Sequence, residues 1–126
     1  MALDLFAGIP VSDYQAALRW YERLFGGPPS FVPNDIEAVW ELAEHRYVYV
    51  VHDPKRAGNA LVLSFVEDLS GRVAAIAGRG IEPVKRETYD NGVTKVIYED
   101  PEGNEIGFGG MAADQYPGGS DRSTSG

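Results

Sequence analysis

The chain has 126 residues, no cysteine and a net charge of −8, from 19 acidic and 11 basic side chains. Disulfides, thiol nucleophiles and cysteine metal sites are thereby excluded, and no basic face is on offer to nucleic-acid phosphates. Apolar residues make up 44% and charged residues 24%, the mixture of one globular domain long enough to bury its own core.

The acidity reads first as solubility and second as attraction for a cationic ligand or partner. No apolar run reaches the length of a membrane span. The opening "MALDLFAGIP" lacks the basic-then-apolar order of a signal peptide. A cytoplasmic protein with no nucleic-acid or membrane partner is expected.

Residues 5–11, "LFAGIPV", are apolar enough for a buried strand. "SDYQAALRWYERLF" follows as a helix, with Ser12 or Asp13 as its cap and Ala17, Leu18, Tyr21, Leu24 and Phe25 at helical spacing. Gly26-Gly27-Pro28-Pro29 stops it. "SFVP", "EAVWELAE" and "RYVYVVHD" then supply three extended segments, and "DPKRAGN" is a turn-rich connection.

The pattern then begins again. "ALVLSFVEDL" is an apolar strand, and "SGRVAAIAGRG" is a shorter helix. "EPVKRETYD", "VTKVIYED" and "NEIGFGG" are strand candidates. Asn91-Gly92 is a hairpin signal, and "DPEGN" is a tight turn.

The order strand, helix, strand, strand, strand thus occurs twice. Asp13 and Asp68 are separated by the same interval as Phe6 and Leu61. A half of this size cannot close its own core, whereas two halves bury both helices against a shared curved sheet and leave a concave face for a ligand. The predicted class is α+β. A single domain is expected over 1–111, with module one at about 4–53 and module two at about 60–110. Residues 112–126 turn polar and read as a flexible tail without function.

Three stretches carry a family resemblance: "GIPVSDYQAALRWYERLFG", "LVLSFVEDLSGRVAAIAGRGI" and "YEDPEGNEIGF". In order and spacing the chain resembles the vicinal oxygen chelate superfamily, which holds glyoxalase I, the bleomycin resistance proteins and the extradiol dioxygenases. The resemblance covers residues 5–109, and Asp-Pro-x-Gly-Asn is its most specific element. It implies paired βαβββ modules forming a cup with helices outside, and commonly a homodimer. In the family's metalloenzymes, inward-facing strand positions hold the metal. Those positions match Phe6, Leu61 and Gly107 here, with Tyr49 at the fourth by the symmetry of the halves.

Phenylalanine, leucine and glycine side chains offer a divalent ion no donor. No metal and no cofactor is expected. In its missing ligands the chain is similar to the bleomycin-resistance branch, which sequesters its ligand in dimer clefts without a metal.

The expected ligand cavity is Phe6, Trp40, Tyr49, Leu61, Tyr98 and Gly107. Trp40 and Tyr49 are open to two readings, stacking on a flat or cationic ligand or plain packing. Glu105, Glu41 and His52 are the catalytic candidates. Each also has a simpler reading, as a rim charge for the glutamates and a strand-end histidine for His52.

The leading expectation is a metal-independent protein that binds a small aromatic or cationic molecule, in the manner of antibiotic sequestration. An alternative is a lyase or isomerase using the cavity carboxylates or a metal site displaced from these positions. A third is an interaction module whose cavity is filled by Phe6, Trp40 and Tyr49.

Overall fold

The computed structural model describes residues 3–111. Strand β1 (Leu5–Val11) leads into helix α1 (Tyr14–Phe25), then β2 (Phe31–Asn34), β3 (Glu37–Ala43) and β4 (Arg46–His52). The second module repeats the order with β5 (Leu61–Phe65), α2 (Leu69–Gly78), β6 (Lys85–Thr88), β7 (Val93–Glu99) and β8 (Glu105–Met111). No described helix is long and apolar enough to cross a membrane. The expected tail, 112–126, lies outside the described residues.

The first helix starts at Tyr14, after the second of the two capping candidates. Asp13 is the cap and accepts a hydrogen bond from the Ala16 amide at 3.1 Å. Ser12 is held by another part of the chain, described below. Gly26 ends the helix at φ 90°, donating its amide to the Glu22 carbonyl, a left-handed turn that a side chain would strain. Asp68 caps α2 in the same way, accepting from the Gly71 amide.

Each module forms its own mixed four-stranded sheet, in the matching orders β1-β4-β3-β2 and β5-β8-β7-β6. The first strand of each runs parallel to the last, and the other neighbours are antiparallel. The architecture is α+β, with two βαβββ modules not closed into a barrel.

Strand alternation gives each sheet two faces. One is covered by the helices. There Ile9, Val11, Trp40, Val48 and Val50 of the first sheet share a single core with Val96, Tyr98, Ile106 and Phe108 of the second. Ala17, Tyr21 and Leu24 of α1 and Leu69 and Ile76 of α2 complete it.

The turn Asp100–Asn104 fastens the modules together. The buried Asp100 carboxylate accepts from the Tyr21 hydroxyl (2.8 Å), the Glu102 and Asn104 amides (2.9 and 3.0 Å) and the Asn104 side chain (2.9 Å). Burial, together with Asp100, pushes the Tyr21 hydroxyl pKa far up. Asn104 is fully buried, donates to the Pro10 carbonyl at 2.9 Å and accepts from the Ala60 amide at 2.8 Å. Glu102 accepts from the Ser12 amide (2.7 Å), the Ser12 hydroxyl (2.8 Å) and the Asp13 amide (2.8 Å).

Partial burial pushes the Glu102 pKa up, but these hydrogen bonds outweigh it and hold the group below its ordinary value of 4.5. A lowered folded pKa means stability that is full above the ordinary value and is lost as pH falls through the lowered one. The melting temperature of Glu102→Gln should therefore lie below that of the wild type at pH 6, with the gap narrowing as pH falls below 4.5. A gap independent of pH would remove the carboxylate's charge from the account.

Candidate ligand-binding faces

The faces turned away from the helices are open. Directly paired residues share a face, so the register reads the open faces out in rows. On the first sheet one row is Phe6, Tyr47 and Glu41, and the next is Gly8, Tyr49, Val39 and Phe31. On the second sheet the rows are Leu61, Glu105 and Glu99, then Leu63, Gly107, Ile97 and Lys85, then Phe65, Gly109, Lys95 and Glu87.

The first face is aromatic. The Phe6 and Tyr47 rings stack with centroids 4.4 Å apart and planes within 9°. Phe31 meets Tyr47 edge-on at 6.4 Å. The ring of Tyr49 lies across Gly8, where an added Cβ would come within 2.7 Å of it. Glycine at position 8 is what lets this ring lie flat against the sheet.

Burial, followed by the negative charges of Glu41 and Asp4, raises the Tyr47 pKa. The Glu41 carboxylate, paired across the strands with Tyr47, sets a negative charge beside this ring, which favours a cation. Asp4 itself pairs with His45 at 2.6 Å, in the β3–β4 hairpin turn, where His45 adopts φ 66°.

The second face is apolar along β5 and charged towards its β6 edge. Leu61 is 78% exposed and Phe65 65%. Leu63 and Ile97 close over Gly107, and the Phe65 ring covers Gly109. At the edge Glu87 accepts from the Tyr89 hydroxyl at 2.7 Å and pairs with Lys85 at 3.2 Å and Lys95 at 3.7 Å. The Tyr89 bond and the two lysines hold its pKa down.

Of the residues singled out from the sequence, Phe6, Tyr49, Leu61, Gly107, Glu41 and Glu105 stand on the open faces. Trp40 and Tyr98 do not. Trp40 is on the helix side of β3, packed 5.5 Å from Phe25 and donating its indole N–H to the Gly27 carbonyl at 3.0 Å. Tyr98 is fully buried against Phe108. Burial, then the charge of Glu82, raises its pKa, and its hydroxyl has no hydrogen-bond partner among the described residues. His52 is exposed at the end of β4, on the side opposite Tyr49, in a shallow hollow with Asp13, Tyr14 and Asp35. It does not meet Glu41 or Glu105. Tyr47 and Phe31, which complete the aromatic face, carry no distinguishing sequence signal beyond strand alternation.

A family model of the Glyoxalase/Bleomycin resistance protein/Dioxygenase superfamily matches residues 3–108. The chain belongs to this superfamily. A glyoxalase/bleomycin resistance protein from Catenulispora acidiphila DSM 44928 is 49% identical and superimposes with a TM-score of 0.85, over 88% of this chain and 100% of that one. The likeness extends in fold to a bleomycin-binding protein complexed with bleomycin (16% identity, TM-score 0.67, 88% of this chain, 100% of that one). It extends likewise to a lactoylglutathione lyase from Agrobacterium tumefaciens (16% identity, TM-score 0.67, 87% and 94%). No functionally curated protein matches the chain.

The superfamily's metal enzymes raise the question of whether these faces fit an ion. The register makes Tyr49 the counterpart of Gly107, and Phe6 the counterpart of Leu61. Of these four side chains only the phenol carries a donor atom. Gly107 is moreover roofed by Leu63 and Ile97. Among the described residues no three His, Cys, Asp or Glu side chains cluster as a metal site would require. The residues at these positions do not fit a divalent ion.

Proposed function

We propose that this superfamily member is a metal-independent binding protein for a small, flat, aromatic cation, which it sequesters in the cytoplasm. The observation that carries this reading is the Phe6–Tyr47 stack, with Phe31 edge-on to it and Glu41 in the same row. A π-face flanked by a carboxylate attracts a planar cation by stacking and by charge together. The fold shared with a protein crystallised with bleomycin supports sequestration as the mode of action.

The working unit is a homodimer. Leu61 and Leu63 of the second face are half exposed or more, an apolar display that a second copy would cover. Light scattering should return twice the 13.7 kDa chain mass. A monomer at micromolar concentration would sink the dimer.

One observation favours a second reading, a lyase or isomerase: Glu41 and Glu105 both stand on open faces, where each could reach a bound substrate's proton. The two readings part in a single experiment. Protein loaded in turn with Zn, Ni, Fe and Mn is analysed for metal, and its melting is followed with ethidium and with spermidine. Far less than one metal per chain is expected, with stabilisation by ethidium and not by the aliphatic cation. Metal near one equivalent would overturn the reading, as would equal responses to the two cations.

A further inference from the structure

A further cleft lies where the β3–β4 hairpin end of the first sheet meets the end of β5 and the start of α2. Its volume is about 270 Å³, near the lower limit of small-molecule sites at about 300 Å³. It adjoins a second cleft of about 440 Å³ between β1 and β5, with Leu42, Arg46, Ser64 and Phe65 common to both. Leu42 sits at the irregularity that interrupts the β3–β4 register, and Ser64 is paired with the core residue Phe108. Its lining joins Ser64 and Phe108 of the helix side to Phe65 of the open face, and the adjoining cleft reaches Tyr47 but not Phe6.

Its floor is apolar and its mouth is cationic. Arg46 comes from β4, and Arg72 from the first turns of α2. Neither forms an ion pair with a described carboxylate. The Arg72 guanidinium carbon stands 5.2 Å from the centre of the Phe108 ring, within cation–π range. One acidic side chain, Glu67, lines the same cleft. In a chain of net charge −8, two arginines against one glutamate make a local reversal of sign.

We infer that this cleft binds an amphipathic anion: a carboxylate on a short apolar chain, with the head group between Arg46 and Arg72 and the chain over Leu42 and Phe65. A planar guanidinium pairs with a carboxylate through two parallel hydrogen bonds, and the apolar floor takes the chain.

The test is calorimetric titration of the whole protein with octanoate, with octanol as the uncharged counterpart and acetate as the head group alone. Octanoate is expected to bind at least about tenfold more tightly than either, the scale of one charge-assisted hydrogen bond. Arg72→Gln and Arg46→Gln should each weaken octanoate by about tenfold with the circular dichroism spectrum unchanged. Phe6→Ala should leave octanoate binding intact. Three results would overturn the inference: no octanoate binding, equal binding of octanol, or a loss in Phe6→Ala with none in the arginine variants. The last would put the amphiphile on the open face.

Discussion

Asp100→Ala is expected to lower the melting temperature by roughly 10–20 °C, from a loss of about 3–5 kcal/mol. The carboxylate accepts from the Tyr21 hydroxyl, two backbone amides and the Asn104 side chain. Alanine removes every one of these bonds and leaves the Tyr21 hydroxyl in the core without a partner. Each net bond is worth about 1 kcal/mol, and an orphaned buried donor costs about 1–3 kcal/mol more. Asp100→Asn retains one acceptor oxygen and should cost less. Tyr21→Phe withdraws a single donor and should be mildest. Thermal unfolding of the three variants reads the ranking directly, and a drop of only a degree or two in Asp100→Ala would refute the turn's role as the fastening between modules.

The second large effect is on binding. Replacing both Phe6 and Tyr47 by alanine should weaken ethidium on the order of a hundredfold, or about 2.7 kcal/mol. The loss comprises the aromatic contact and the apolar area that the two rings bury against a flat ligand. Stability should change far less, since Phe6 is 48% exposed in the single chain and neither ring belongs to the helix-side core. Fluorescence titration measures the affinity and circular dichroism the fold. Affinity preserved in the folded double variant would remove the aromatic face from the proposed function.

Much of the fold is legible in the sequence because periodicity reports it. The repeated order of strand, helix and three strands follows from apolar spacing and from turn residues at Gly26, Gly92 and Gly103, all of which take positive φ. Faces are harder. Alternation shows that Ala38, Trp40 and Leu42 point the same way, but not which way is inward when both sides of a strand are apolar. Val39 on the open face is as buried as Trp40 in the core, so hydrophobicity alone could not place the indole. The same ambiguity affects Tyr98, whose strand carries Ile97 on one face and Val96 on the other.

The network around Asp100 is invisible for another reason. Asp-Pro-Glu-Gly-Asn reads as a local turn, which it is, but Asp100, Glu102 and Asn104 make contacts 79, 90 and 94 residues away. No window along the chain brings those partners together.

That separation bears on how the molecule is made. A ribosome releases Pro10, Ser12 and Tyr21 well before the groups that satisfy them. Until Asn104 emerges, the nascent first module has the Ser12 and Asp13 amides without their Glu102 acceptor, a core hydroxyl without an acceptor and an aromatic sheet face open to other chains. Contacts this distant in sequence slow folding, because closing the intervening loop comes before any gain from the contact. The first module should therefore wait for the second rather than fold on its own, and the chain that still lacks the second module is the form in which this protein is most exposed to aggregation.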